Sequence, residues 1–326
     1  MFEIQDRPEP SLAPGRVRVR VRAAGVNFAD LMARQGLYPD APDLPSVLGY
    51  EVAGDVEAVG EGVDGIKTGD RVMAACRFGG YSEIVSARDR DVTPLPEDWS
   101  YEEGAALLVV YGTAYAGLVS FGGLRAGERV LVQAAAGGVG IAATQIAKLL
   151  GAEIYGTASP SKHEAIRGFG VDHPIDYRGR DFADEARRIS GSEHPFDLVI
   201  DGIGGKSWKD GYGLLRPGGR LVMIGASSFV TGEKRNLPRA AANLARTPRF
   251  NPIKMASESK SVIGLNMLRL WDARGSMAEF SEPLAQWIDQ GVLHPVVSRA
   301  FPLERVADAH RFMGERKNVG KVVLTV

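Results

Sequence analysis

The sequence predicts an α/β chain of two domains, one rich in short strands and one built on a doubly wound parallel sheet. Three features predict it. Valine and arginine alternate from Arg16 to Arg22 in "GRVRVRVRAAG", the period of a strand with one buried and one solvated face. From "ERVLVQAA" onward, strand-like and helix-like segments take turns, the pattern of a parallel sheet. Between the first such strand and its helix stands a small-residue loop, "VLVQAAAGGVGIA", Val130 to Ala142.

The first hundred residues continue as short strands. "YEVAGDVEAVGEGV" reads as strand, turn and strand, and "GDRVMA" and "GGYSEIVSA" add two more, so a partly open barrel is expected. The arginines of the alternating strand read as its solvated face. After "LPEDWSYEEGAALL" the chain turns helical from Tyr101. "GVGIAATQIAKLLG" then reads as a helix closed by Gly151, "AEIYGTAS" as a strand, and "SKHEAIRGFG" as a helix ending near Gly168 and Gly170. "FDLVIDGIGG" and "GGRLVMIGAS" supply two further strands, "RAAANLAR" a helix, and the last forty or so residues return to strands ending in "GKVVLTV". One domain is thus inserted into another, with expected bounds of 1–107 plus 286–326 and 108–285.

Composition narrows the function classes. The chain has 326 residues, 44% hydrophobic and 24% charged, enough apolar material for two buried cores. Its net charge of −1 offers no basic field for nucleic acid or anionic lipid. The single cysteine, Cys76, forms no intramolecular disulfide and fits a reducing compartment. No apolar run is read as reaching the roughly 18 residues of a membrane span, and "MFEIQDRPEP" lacks a signal peptide's apolar core. A cytoplasmic protein without membrane insertion or nucleic-acid partner is expected.

The loop resembles the G-x-G-x-x-G dinucleotide fingerprint, with Ala135, Gly137 and Gly140 at the glycine positions and Gly138 and Val139 between the last two. The first glycine has become alanine, so the setting carries the assignment: a strand before, a helix after, and a βαβ pattern continuing. About 20 residues on, an acidic residue would bind the ribose of NAD. "GTASPSK" stands there instead, with no acid. Thr157, Ser159, Ser161 and Lys162 offer hydroxyls and a positive charge where a 2′-phosphate would sit, so NADPH is the expected cofactor.

The stretches "AAGVNFADLMARQGLYP", "AAAGGVG", "GTASPSKHEA", "HPIDY" and "NVGKVVL" resemble zinc-independent quinone oxidoreductases of the medium-chain dehydrogenase/reductase superfamily, nearest the vesicle amine transport protein-like branch. The resemblance covers nearly the whole chain. It implies a GroES-like β-rich catalytic domain made of both chain ends around a Rossmann domain, usually in a homodimer. Family members carry a further strand or so ahead of "FEIQDRPEP", so either an edge strand is absent here or the start of the chain is set too late. The resemblance also implies roles. Asn27 would stand near the nicotinamide and donate to a developing oxyanion. Tyr38 of "GLYP" would line the cleft and help Asn27 steady that charge, or simply pack. Thr113, Gly225 and Asn318 would approach the coenzyme, and Tyr177 its 2′-phosphate end. Asp30 would position its loop.

Zinc-dependent relatives carry a cysteine, a histidine in Gly-His-Glu and a third ligand where this chain has Asn27, Tyr50 and Val109. That set does not suit tetrahedral zinc, so no metal is expected. Glu51 reads as a satisfied buried carboxylate. The histidines (163, 173, 194, 294, 310) are scattered, three of them before proline, and read as turn and surface residues. The expected activity is hydride transfer from NADPH to a small quinone, enone or enal. The alternatives are an enone or enoyl reductase, or a non-catalytic NADPH-binding protein associated with membranes or partners. The irregular stretch Ser227 to Met255 is expected to supply the pocket walls.

Overall fold

The computed structural model describes residues 2–230 and 236–326. The chain divides into two compact units, Met1–Gly112 with Leu268–Val326, and Thr113–Thr231 with Arg235–Met267. The first unit begins with β1 (Arg16–Val26), β2 (Glu51–Val59), β3 (Arg71–Ala75), β4 (Ile84–Arg88) and β5 (Val92–Pro94). The second carries β6 (Arg129–Val132), β7 (Glu153–Ala158), β8 (His173–Asp176), β9 (Phe196–Asp201), β10 (Leu215–Met223) and β11 (Ser261–Gly264). The chain then returns to the first unit with β12 (Val297–Pro302) and β13 (Lys321–Thr325).

In the first unit the strand order is β12-β13-β1-β2-β3-β5, with β4 also paired to β1. The valine–arginine alternation behaves as its period requires. Val17, Val19 and Val21 are buried, while the guanidiniums of Arg18, Arg20 and Arg22 reach Glu57 and Asp55 across the pair with β2. "YEVAGDVEAVGEGV" differs from the expected strand, turn and strand, because β2 runs unbroken through Gly54. A Cβ there would stand 2.0 Å from the Arg20 carbonyl oxygen, so this glycine permits close strand approach and makes no turn.

The second unit is a six-stranded sheet, β11-β10-β9-β6-β7-β8, with every pair parallel. Leu131, Tyr155, Phe196, Val199 and Leu221 are fully buried in its core. The segment 268–285, expected in this unit, belongs to the first. Asp91 explains why: its carboxylate accepts from Trp271 Nε1 (3.2 Å), Ser276 Oγ (2.9 Å) and the Met277 amide (2.8 Å). Among the described residues one helical run, Tyr101–Ser120, has the length and apolar composition of a membrane span, contrary to the expectation of none. It is mostly buried, as a core helix is.

Candidate functional site

The loop after β6 turns into a helix at Gly137. The helix Gly138–Leu149 starts there with Gly137 as N-cap, no side-chain cap and no acidic residue in its first turn. Its first amides and dipole favour an anion. The alanine at the first fingerprint position is explained by the backbone. The left-handed residue of the turn is Ala134 (φ 53°), so Ala135 is spared a positive φ. Gly140 cannot be replaced, since a Cβ would fall 2.3 Å from the Ala134 carbonyl oxygen and 2.7 Å from Ala135 Cα. Ala135 is buried, while Gly137, Gly138 and Val139 are half-exposed.

Thr157 braces this loop from within β7. It is fully buried, its hydroxyl donates to Gln133 Oε1 (2.7 Å) and accepts from the Ala134 amide (2.9 Å). It is therefore committed to the loop and holds no hydroxyl out for a phosphate. Gln133 Nε2 is buried without a partner among the described residues. An unpaired amide beside a bare helix N-terminus fits a ligand rich in acceptor oxygens. Beyond β7, Ser159 is buried, Ser161 exposed and Lys162 half-exposed, with Ser159 and Ser161 hydroxyls 3.4 Å apart. Tyr177 follows β8 directly and is half-exposed. Gly225 follows β10, and a Cβ there would meet the Gly202 carbonyl oxygen at 3.4 Å. Thr113 is buried in the helix Leu108–Tyr115. All but Thr113 of these predicted residues thus sit at the C-terminal ends of parallel strands, where such sheets bind ligands.

Asp201, which sequence reasoning passed over, ends β9. Its carboxylate accepts from the Ile203 and Gly204 amides (2.6 and 3.1 Å) and Ser207 Oγ (2.5 Å), fixing the next turn. Burial raises its pKa.

In the first unit the signal residues meet a lysine the sequence reading missed. Lys321, 3% exposed on β13, places its ammonium 2.5 Å from both Glu51 Oε1 and Asn27 Oδ1. Asn27 Nδ2 donates to Glu51 Oε1 (3.1 Å) and weakly to the Gly25 carbonyl (3.5 Å), and the Val109 amide donates to Glu51 Oε2 (2.9 Å). An ammonium at one end of the amide and a carboxylate at the other fix its orientation. Asn27 is therefore engaged by protein at both ends and is not left to steady a substrate oxygen. A lone lysine inside the apolar run "GKVVLTV" was the available signal.

Beside this triad, Asp30 Oδ2 accepts from the Asn27 amide (2.8 Å) and Oδ1 from the Gly49 amide (2.9 Å), while Tyr81 adds its hydroxyl. Asp30 thus positions the loop, as the resemblance implied. Burial pushes its pKa up to about 6 against the pull of those donors. Tyr81 also meets His310 Nε2 at 3.2 Å. His310 is no surface residue. It is 1% exposed, packed edge-on to Phe2, and burial with the Arg34 charge lowers its pKa to about 3. Burial and the carboxylates of Asp40 and Asp30 push Tyr38 up to about 12. Asn318 Nδ2 donates to the Gly320 carbonyl (2.7 Å), shaping the loop before β13.

Comparison with known proteins agrees with this construction. Residues 13–97 match the family described as "Alcohol dehydrogenase GroES-like domain", and residues 169–324 match "Zinc-binding dehydrogenase". The chain is 43% identical over 325 residues to the synaptic vesicle membrane protein VAT-1 homolog of Rattus norvegicus, covering 99% of this chain and 80% of that one. Among solved structures, CurK enoyl reductase superposes with a TM-score of 0.84 at 30% identity, covering 98% of this chain and 94% of its own. The quinone oxidoreductase of Pseudomonas syringae pv. Tomato DC3000 gives a TM-score of 0.82 at 31% identity, covering 99% and 94%. With a GroES-like unit and a parallel nucleotide-binding sheet, the chain belongs to the medium-chain dehydrogenase/reductase superfamily of oxidoreductases, whose members bind a nicotinamide cofactor.

Proposed function

We propose that this protein is an NADPH-dependent, zinc-independent reductase of quinones or related activated carbonyls and alkenes, cytoplasmic and homodimeric. The turn after β7 carries the reading: Ser159, Ser161 and Lys162 stand where an acidic residue would select NAD. Structures that superpose on the chain bear the names quinone oxidoreductase and enoyl reductase, which supports the substrate class.

The bound cofactor supplies a hydride, and the acceptor takes one further proton from solvent. The chain's own residues bind and orient. Gly137 and the helix start would receive the pyrophosphate, and Lys162 with Tyr177 would receive the 2′-phosphate. In the first unit the Lys321 ammonium already neutralises Glu51 and holds the Asn27 amide. The set Asn27, Tyr50 and Val109 lacks the thiolate and imidazole donors that zinc requires. Part of the stretch expected to line the pocket, residues 231–235, is outside the described residues.

The test is NADPH oxidation with a panel of quinones, enones and enals. Turnover above roughly 1 s⁻¹ with one of them is expected, and none with any of them rejects the reading. Lys162→Ala should lose about 1.5–3 kcal/mol of affinity for NADPH, and much less for NADH. Equal loss for both coenzymes would remove Lys162 from the 2′-phosphate site. Elemental analysis should find no stoichiometric zinc in purified protein, and chelators should leave turnover unchanged. One zinc per chain contradicts the proposal.

A further inference from the structure

Tyr50 carries a hydroxyl that the resting first unit does not use. The residue is 4% exposed, and its Oη has no hydrogen-bond partner among the described residues. Its polar neighbours are engaged: Asp30 by two amides and Tyr81, Glu51 by Lys321, Asn27 and Val109. A buried donor left unpaired destabilises a fold unless something arrives to accept from it.

The surrounding backbone keeps the phenol in place. Tyr50 O accepts from the Cys76 amide (2.8 Å), and the preceding Leu48 and Gly49 carbonyls accept from Tyr81 (2.9 Å) and Gly80 (3.2 Å). The ring packs on Phe78, with centroids 4.8 Å apart. Burial first, then the charges of Asp30 and Tyr38, push its pKa far above the ordinary tyrosine range, so the group stays a protonated donor at any working pH.

We infer that Tyr50 Oη is a catalytic hydrogen-bond donor to the acceptor oxygen of the substrate, an assignment that rests on the reductase reading above. When hydride reaches the acceptor, the carbonyl or conjugated π bond breaks and its electron pair moves to oxygen. The Tyr50 hydroxyl meets that growing charge and keeps its own proton. Solvent then protonates the product, so the acceptor gains hydride and proton while the cofactor is oxidised. A donor already fixed in a dry site strengthens toward the transition state without reorganising.

The test is Tyr50→Phe, which removes one oxygen atom and keeps the ring. Turnover with the best quinone of the panel should fall on the order of 10²-fold, chiefly in kcat, with NADPH affinity by fluorescence titration unchanged. The thermal midpoint of the substrate-free variant should equal or exceed the parent's, because a partnerless hydroxyl has been deleted. A lower midpoint would show that the hydroxyl serves the fold and would overturn the assignment. Unchanged turnover would overturn it as well, while leaving the reductase reading standing. If the parent itself oxidises no NADPH with any acceptor, the reductase reading falls first and takes this assignment with it.

Discussion

Lys321→Met should destabilise the protein by about 3–5 kcal/mol, the usual effect of breaking a buried ion pair on one side. The Lys321 ammonium and the Glu51 carboxylate are 3% and 0% exposed, so the variant would strand a carboxylate with only the Asn27 and Val109 N–H groups for company. Chemical denaturation of parent and variant measures the loss. The double variant Lys321→Met/Glu51→Gln should recover much of it, because no unpaired charge remains. If the single variant were within about 1 kcal/mol of the parent, the pair would not be holding this unit together.

Asp30 should give the protein a pH dependence of opposite sign to that of its surface carboxylates. Its folded pKa is raised from 3.8 to about 6, so the folded state binds this proton more tightly than the unfolded chain does. Its stabilising contribution is fully present below pH 3.8 and is lost as pH rises through about 6, a swing of about 3 kcal/mol for roughly two pKa units. Carboxylates held down by arginine, such as Glu185 at about 2, act the other way and lose their contribution as the medium turns acid. Asp30→Asn isolates the effect. The amide leaves one of the Asn27 and Gly49 N–H groups facing a donor, so the variant is the weaker at every pH. Its disadvantage should shrink on going from pH 4 to pH 7. A difference independent of pH would mean that Asp30 stays ionised throughout.

The residues that the sequence made legible are those whose chemistry is local. The helix start at Gly138 and the absence of an acid after β7 both follow from neighbours close in sequence. Strands β8 and β11 were not marked as strands, and both are edges of the parallel sheet. Each has four residues, and β8 contains Pro174 and β11 a serine and a glycine, which an edge tolerates and a central strand does not. The role of Lys321 was hidden for a different reason. Its partners Asn27 and Glu51 are 294 and 270 residues away, and no periodicity spans that distance. Likewise Asn27 read as a free donor because Glu51, which accepts from its Nδ2, lies 24 residues away. The domain return at Leu268 is tied down by residues on the far side of the insertion, among them Asp91, Arg77 and Arg88.

Strand β1 is enclosed by partners from both ends of the chain. Ala23 to Val26 pair with Thr325 to Val322 of β13, while Val17 to Ala24 pair with β2. During synthesis, therefore, Arg16 to Arg20 of β1 find β4 early, whereas its Ala23–Val26 end waits about three hundred residues for β13. The parallel sheet has no such wait, since all six of its strands are translated between Arg129 and Gly264. Folding on the ribosome is accordingly ordered, with the inserted unit able to close first while the Ala23–Val26 end of one flank of β1 stays open. That open flank is an unpaired strand edge for the length of the insertion, the kind of surface on which nascent chains aggregate and to which chaperones bind.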